Sequence, residues 1–117
     1  METNNKKVAR DSGEIICQHL KLAETIDERM LGLMFKDEMP GCDGLLISPC
    51  NSIHTFFMKM SIDVVFLTKD FKVVKVIYNL KPWKMTAIYF KSKHVLEMRA
   101  GTLVPNLQIG ESLRVYV

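Results

Sequence analysis

An apolar, strand-like stretch in the middle of the chain decides the fold: Cys50-Asn-Ser-Ile-His-Thr-Phe-Phe-Met-Lys-Met-Ser-Ile-Asp63, continuing as Val64-Val-Phe-Leu67. Within it, His54, Lys59 and Asp63 interrupt apolar residues at short intervals. An ionisable group that leaves water must be paired or hydrogen-bonded, because an unpaired buried charge costs several kcal/mol. The stretch therefore indicates either a structural polar cluster or a binding site.

Short strand-like segments recur on both sides of this stretch. They are rich in β-branched and aromatic residues or alternate between apolar and polar side chains. The predicted strands are residues 15–22, 44–48, 54–59, 63–67, 72–78, 95–99 and 112–117. Residues 60–62 read as the connection of a hairpin between two of them. About seven short strands at close spacing predict a mainly β domain, either an antiparallel sandwich or a partly open barrel.

One helix is predicted near the start of the chain. Thr25 and Glu28 have the spacing of a capping box, in which each side chain satisfies a free backbone N–H of the first turn. The apolar residues that follow have helical spacing and predict a stripe that packs on the sheet: Ile26, Met30, Leu33 and Met34. Because Pro40-Gly41 prevents continuation, we expect a short helix over residues 25–36.

The chain has 117 residues, which fits one domain. Residues 1–13 are polar and lack apolar periodicity, so they predict a frayed tail, and residues 14–117 a single mainly β domain. We expect no membrane span, because no apolar run approaches the roughly 18 residues that one needs. The first residues lack the apolar core of a secretory signal. We therefore expect a cytoplasmic protein, with the mature form of an exported protein as the alternative.

The composition is that of a soluble globular protein, with 48% hydrophobic and 25% charged residues. The net charge of +3 is unevenly distributed. Between Lys69 and Arg99 there are eight Lys or Arg residues against two acids, Asp70 and Glu97. Such a segment is either a solvated lysine-rich face or a surface that attracts an anionic partner. The eight methionines are expected mainly in the core.

The three cysteines argue against a disulfide framework, because their number is odd. Cys42, Cys50 and His54 follow the pattern Cys-x7-Cys-x3-His, and thiolate and imidazole groups bind zinc or copper. The spacing fits no standard zinc knuckle. We therefore expect ordinary thiols, a hydrogen-bonded histidine, and neither a metal nor another cofactor.

Taken together, the motifs resemble the bacterial and archaeal family known as "domain of unknown function 192". The matching pieces are Ala23 to Arg29, Gly32-Leu-Met34, Gly44-Leu45, Thr55-Phe-Phe-Met-Lys59, Ile62-Asp63 with Phe66, Val95-Leu-Glu97, Gly101 and Gly110-Glu111. The family commonly has Trp in place of Phe57 and often Asp in place of Glu111. The resemblance implies a small, mainly β domain with a short helix near its start. It implies no established activity, and many members carry an export signal.

Five polar residues of these motifs interrupt apolar segments: Glu28, Arg29, Lys59, Asp63 and Glu97. One interpretation is a salt-bridge network that ties the helix to the sheet. Another is a pocket in which Arg29 and Lys59 bind a carboxylate or phosphate, while Asp63 or Glu97 accepts hydrogen bonds from the ligand. A third is acid–base catalysis by His54 and Asp63, although nothing in the spacing supplies a nucleophile with an oriented base.

Residues 79–93 are predicted to form an irregular loop that mixes aromatic rings with lysines. Trp83 has Lys81 and Lys84 beside it, and Tyr89, Phe90, Lys91 and Lys93 follow. Single-stranded nucleic-acid binders combine these residue types, but the loop lacks arginine and any recognised binding motif. The alternatives are a Trp that folds over the mouth of the barrel, or a surface that docks a protein.

We therefore predict a small non-catalytic binding or accessory protein, whose partner is an anionic small molecule or a protein. Its predicted site residues are Arg29, His54, Lys59, Asp63 and Glu97, with Trp83 at the rim. An enzyme that uses His54 and Asp63 is the alternative. Weak nucleic-acid binding through residues 81–93 is a third hypothesis, and nucleic acid is not the expected partner.

Overall fold

Eight short strands and one short helix make up residues 6–117, the part of the chain that the computed structural model describes. In chain order they are β1 (Lys7–Arg10), β2 (Ile15–Cys17), β3 (Leu20–Ala23), α1 (Ile26–Leu31), β4 (Gly44–Ile47), β5 (Ile62–Leu67), β6 (Val73–Leu80), β7 (His94–Arg99) and β8 (Leu113–Tyr116). Five strands form one sheet in the order β3-β4-β7-β5-β6, and three form a second sheet in the order β2-β1-β8. No helix in this part of the chain is long and apolar enough to cross a membrane.

The larger sheet is buried on both faces around β5, and every side chain of β5 is buried. Successive side chains of a strand point to opposite faces. Val65 and Leu67 therefore join the core cluster that also holds residues of the three-stranded sheet. Val64 and Phe66 join a second cluster, with residues from the segment after α1 and from the segment before β5. This second face positions the candidate site.

The prediction of a mainly β domain with one short helix is confirmed, with two sheets and no closed barrel among residues 6–117. One feature departs from an all-antiparallel sandwich, because β3 and β4 run parallel. The predicted strand 54–59 and its hairpin with β5 are wrong. His54 forms only an isolated bridge with Met85, and β5 instead pairs with β6 and β7.

The predicted tail contains a strand that the sequence analysis missed. Residues 7–10 form β1, which lies between β2 and β8 in the smaller sheet. Val8 and Ala9 are buried there. Arg10 donates two hydrogen bonds to the carboxylate of Glu111, at 2.6 Å from Nε and 3.1 Å from Nη2. The expectation of a frayed tail is therefore wrong for residues 7–10, while residues 1–5 lie outside the described residues.

The predicted strand over residues 15–22 is divided in two by a carboxylate. Asp43 accepts hydrogen bonds from the backbone N–H of Gln18, at 2.8 Å, and of His19, at 2.7 Å. These two N–H groups are thereby bound by a side chain rather than by a neighbouring strand, so the chain bends between β2 and β3. A long-range contact of this kind leaves no local signal in the sequence.

Helix α1 begins as predicted, because Thr25 and Glu28 form the capping box. It ends much earlier, at Leu31, where Gly32 follows with a positive φ of 46°. The predicted apolar stripe is wrong in its orientation. No residue of α1 is buried, Met30 is 69% exposed, and the buried Leu33 lies beyond the helix.

Candidate functional site

A cavity of about 100 Å³ lies between the end of α1 and the second face of the large sheet. Residues from α1 and the turn after it form one wall, β4 and β7 form the floor, and the segment before β5 closes the other side. The lining includes Arg29, Gly32, Leu33, Ile47, Cys50, Ser52, Ile53, His54, Met58 and Glu97. Three of the predicted site residues therefore meet here, namely Arg29, His54 and Glu97.

Glu97 supplies a buried carboxyl group to this cavity. It lies opposite Val64 and Leu45 in the sheet and points to the same face as they do. Only 3% of it is exposed, and its carboxyl group makes no hydrogen bond to the residues that the structure describes. Burial alone raises its pKa to about 8, because desolvation disfavours the charged form. Glu97 is therefore mainly neutral at pH 7 and can donate a hydrogen bond.

Arg29 brings a guanidinium group from the last turn of α1. Its Nη1 donates to the backbone carbonyl of Pro49 at 3.1 Å. Its Nε is buried and has no hydrogen-bond partner in the described part of the chain. Arg29 and Glu97 form no ion pair with each other, since the ion pairs found among residues 6–117 both involve Arg10. The cavity thus combines a positive charge, an unpaired N–H donor and a neutral carboxyl group.

Cys50 lines the same cavity as these two groups, and the sequence predicted it to be an ordinary thiol rather than a metal ligand. Its thiol donates to the carbonyl of Ser52 at 3.1 Å. Burial is the main cause that raises the pKa of this thiol; Glu97 also raises it, and Arg29 lowers it. A thiol with a raised pKa is a weak nucleophile, because the thiolate is the reactive form. Cys50 is accordingly a neutral lining group of the cavity.

His54 is an exposed residue of the cavity lining, and Trp83 is connected to it through aromatic contacts. The ring of His54 stacks on Phe56 with centroids 5.0 Å apart, and its Nδ1 accepts a hydrogen bond from the backbone N–H of Phe56 at 3.2 Å. Trp83 is exposed and contacts Phe56 and Phe57, with centroids 6.0 and 4.7 Å apart. Trp83 is thus joined to His54 through aromatic rings, although it does not line the cavity itself.

Lys59 and Asp63 do not join this cavity, which corrects the prediction that all the site residues converge. Lys59 is exposed, and its backbone N–H donates to the carbonyl of Lys36 at 3.2 Å. The buried Asp63 points to the opposite face of the sheet from Glu97, because it occupies the alternate position along β5.

The carboxylate of Asp63 has a structural role. It accepts three hydrogen bonds from the backbone N–H groups of Asn79 at 2.9 Å, Gly101 at 2.9 Å and Leu103 at 3.2 Å. Its acceptor sites are therefore used within the fold. The hypothesis that His54 and Asp63 act as an acid–base pair is not supported, since the sheet separates Asp63 from the cavity.

The cysteines of the Cys-x7-Cys-x3-His pattern have different surroundings. Cys42 interacts with Lys21 and Asp43 beside β4, whereas Cys50 interacts with Arg29 and Glu97. Across residues 6–117 no three His, Cys, Asp or Glu side chains form a group that could hold a metal ion.

A second hollow, which the sequence analysis missed, adjoins the cavity. Its volume is about 420 Å³, and its lining is Asp27, Met30, Leu31, Met34 and Phe35. Three of these residues, Met30, Leu31 and Met34, also line the cavity. The available signal was the number of methionines, because Met is common on adaptable binding surfaces. The helical stripe pointed instead to packing on the sheet.

Comparisons with known proteins identify relatives of the chain. The model of the DUF192 family, described as "Uncharacterized ACR, COG1430", matches residues 7–115. The chain is 36% identical over 106 residues to UPF0127 protein PH1112 from Pyrococcus horikoshii, covering 86% of this chain and 85% of that protein.

Two crystal structures have the same fold, each with a TM-score of 0.77 and 21% sequence identity. One is a protein of unknown function from Novosphingobium aromaticivorans, and the match covers 96% of this chain and 84% of that one. The other is described as "a putative transcription regulator" from Sinorhizobium meliloti, with 97% and 94% covered. At this level of identity the likeness concerns the fold alone.

Proposed function

We propose a function from the chain's own residues, because the chain belongs to the DUF192 family and this family is uncharacterized. The protein is a small binding protein, and it binds an anionic group in the cavity between α1 and β7. The group is a carboxylate or an anion of similar size, since the cavity has a volume of about 100 Å³. Complete small-molecule sites are usually about 300–1,000 Å³. The cavity therefore suits one end of a ligand.

The observation that carries this proposal is the Nε–H of Arg29, which has no partner among the described residues, on a residue that lines the same cavity as the neutral carboxyl group of Glu97. A buried donor without a partner costs about 1–3 kcal/mol. A ligand oxygen that accepts from Arg29 recovers this cost. The guanidinium also supplies the positive charge that a carboxylate needs, and planar guanidinium groups match carboxylates well. Glu97 in its neutral form can donate a second hydrogen bond to the same anion.

The same groups favour binding over catalysis. An enzymatic nucleophile is activated by a lowered pKa or by an adjacent base. Cys50 has a raised pKa and its thiol hydrogen is directed to a backbone carbonyl. His54 accepts a backbone hydrogen bond through Nδ1, and Asp63 is engaged on the other face of the sheet. These groups can bind and orient a ligand but do not form a catalytic pair.

The test is a thermal-shift and calorimetric titration with butanoate and inorganic phosphate as probes. A ligand at ten times its Kd adds about 1.4 kcal/mol to the free energy of unfolding, which raises Tm by roughly 5–8 °C in a domain of this size. Arg29→Met should abolish this shift. Lys59→Met is the matched control, because it removes the same charge from an exposed position outside the cavity and should leave the shift unchanged.

Equal losses in the two variants would contradict the proposal, since they would indicate a general charge effect. An Arg29→Met protein that is folded and still binds butanoate would also overturn it. If Arg29→Met does not fold, Arg29→Lys provides the second variant. Lysine keeps the charge but lacks the Nε donor, so it should weaken butanoate binding by at least threefold.

The pH dependence separates an anionic ligand from a cationic one. As the pH rises through about 8, Glu97 loses its proton, and the new negative charge repels an anion in the cavity. Affinity for butanoate should therefore fall at alkaline pH and approach a constant value below about pH 7. A ligand cation would show the opposite trend, with tighter binding above pH 8.

A second candidate function is contact with an anionic macromolecule through residues 81–93. The observation that favours it is the exposure of Trp83 and Phe90, the latter at 86%, next to the exposed Lys84 and Lys91. Tyr89 is not part of this surface, because its ring packs on Phe66 at 4.6 Å. Retention on single-stranded DNA that falls steeply with salt would support this function. Absent or salt-independent retention would contradict it.

A further inference from the structure

We infer that the anionic ligand is a fatty acid, with its carboxylate in the cavity beside Arg29 and its acyl chain in the adjoining hollow along α1. This inference rests on the proposed function and names its ligand class. It extends the proposed function because the acyl chain would occupy the second hollow, whereas a small anion would occupy the cavity alone.

The two spaces adjoin one another through shared walls. Met30, Leu31 and Met34 line both the cavity of about 100 Å³ and the hollow of about 420 Å³. The polar groups that match a carboxylate, Arg29 and Glu97, line only the cavity, while Phe35 lines only the hollow. A ligand that fills both must therefore have a polar end and a longer apolar part.

The side chains that line the hollow are mostly apolar, yet several of them are exposed to solvent. Met30 is 69% and Phe35 is 58% exposed, and Leu31 is exposed beside them. Phe35 also has a positive φ of 64°, a conformation that is rare for a bulky residue. Its backbone N–H donates to the carbonyl of Phe57 at 2.8 Å, which holds the segment in this conformation.

The chemistry of the lining selects an aliphatic chain. Of the five residues that line the hollow, Asp27 carries the only charge, and it disfavours a second anionic group on the ligand. A peptide in the hollow would bring backbone N–H and C=O groups, and four of the five lining side chains offer no good partner for them. Methionine side chains are flexible and polarisable and adapt to an unbranched chain. A monocarboxylate with an alkyl tail satisfies all of these conditions.

The experiment is a calorimetric titration with butanoate, hexanoate, octanoate and decanoate, each below its micellar concentration. Burial of one methylene strengthens binding by about two- to fourfold. The Kd should therefore fall by roughly 20- to 200-fold from butanoate to octanoate and should level off once the hollow is full. Phe35→Gln should reduce this ratio by at least threefold. Met85→Gln is the control, since Met85 is also an exposed apolar residue, at 72% against 58% for Phe35, but lines neither space.

The outcomes distinguish the inference from the proposed function. If butanoate binds and the longer acids bind no better, the fatty-acid inference is wrong and the anion-binding function stands. If the longer acids bind equally well to Arg29→Met, the carboxylate is not held in the cavity, and both are wrong. An apolar tripeptide that binds more tightly than octanoate would also overturn the fatty acid as the ligand. A smaller ratio in Phe35→Gln with no change in Met85→Gln would support the inference.

Discussion

Replacing Glu97 with glutamine should make the protein more stable at neutral and alkaline pH. The folded protein holds this carboxyl group at 3% exposure without a hydrogen bond from the described residues, and burial raises its pKa to about 8. In the unfolded chain the group returns to its ordinary value of 4.5. Between these two values the folded state holds a proton that the unfolded state has released. Glutamine has nearly the same shape and no charge, so it removes this difference.

The sign and size of the effect follow from proton linkage. A raised pKa in the folded state gives a contribution to stability that is complete below about pH 4.5 and lost by about pH 8. The free energy of unfolding changes by about 1.4 kcal/mol for each pH unit over which one proton is released on unfolding. From the ordinary to the raised pKa, the wild-type protein therefore loses up to about 5 kcal/mol relative to Glu97→Gln.

The assay is urea denaturation of both proteins at pH 5, 6, 7 and 8, with the difference in unfolding free energy plotted against pH. This difference should favour Glu97→Gln increasingly as the pH rises. Glu111→Gln is the contrasting control, because the hydrogen bonds from Arg10 lower the pKa of Glu111. That variant should lose stability at pH 7 without changing the slope between pH 5 and 8. Parallel curves for wild type and Glu97→Gln would refute the claim that Glu97 is a neutral, unpaired buried acid.

Three further substitutions test parts of the fold that position the site. Asp63→Asn should lower the free energy of unfolding by about 2–4 kcal/mol, because three backbone N–H groups lose a charged acceptor; Asp70→Asn, at an exposed turn, should have little effect in the same urea titration. Gly44→Ala should lower the free energy of unfolding by about 1–3 kcal/mol, since the added Cβ would lie 2.6 Å from Cys17 Sγ. The decrease should be smaller in a Cys17→Ala background, and equal decreases in both backgrounds would contradict this clash. Thr25→Ala should lower the free energy of unfolding by about 1 kcal/mol, because it removes the cap of α1, whereas Thr25→Ser should retain the cap. Thermal unfolding of the two variants measures this difference.

Local patterns in the sequence were sufficient for most of the architecture. Five predicted strands, including 44–48 and 95–99, correspond to observed strands within one or two residues, and the capping box at Thr25 was identified from spacing alone. The errors arose where a distant residue decides the outcome. Pairing with β8 makes residues 7–10 a strand, and the carboxylate of Asp43 divides the predicted strand 15–22. Neither partner is near in sequence, so no local pattern reports them.

The same limit of local patterns applies to the residues of the candidate site. Glu97 was recognised as an acid in an apolar strand, but its alternation with Leu96 and Met98 gave no sign that its own face of the sheet is buried as well. Asp63 carries the same local signal one strand away, yet it points to the other face and binds backbone N–H groups. Which of the two acids faces a cavity depends on what covers each face of the sheet. For Asp63 the cover includes the backbone after β7, and for Glu97 it is the wall that carries Arg29.

The reversed orientation of α1 connects the fold to the proposed function. An amphipathic stripe has the same appearance in sequence whether it packs on the protein's own sheet or on a ligand. In this chain α1 buries none of its residues, so its stability depends on the Thr25 cap and on the bond from Arg29 to Pro49. A short helix without a buried side chain is marginal by itself. A bound fatty acid would pack its acyl chain on Met30, and its carboxylate would accept a hydrogen bond from Arg29. It would thereby stabilise α1 through an apolar contact and a hydrogen bond at the same time. Ligand binding should therefore slow amide hydrogen exchange in α1 more than in β5, whose side chains are already buried.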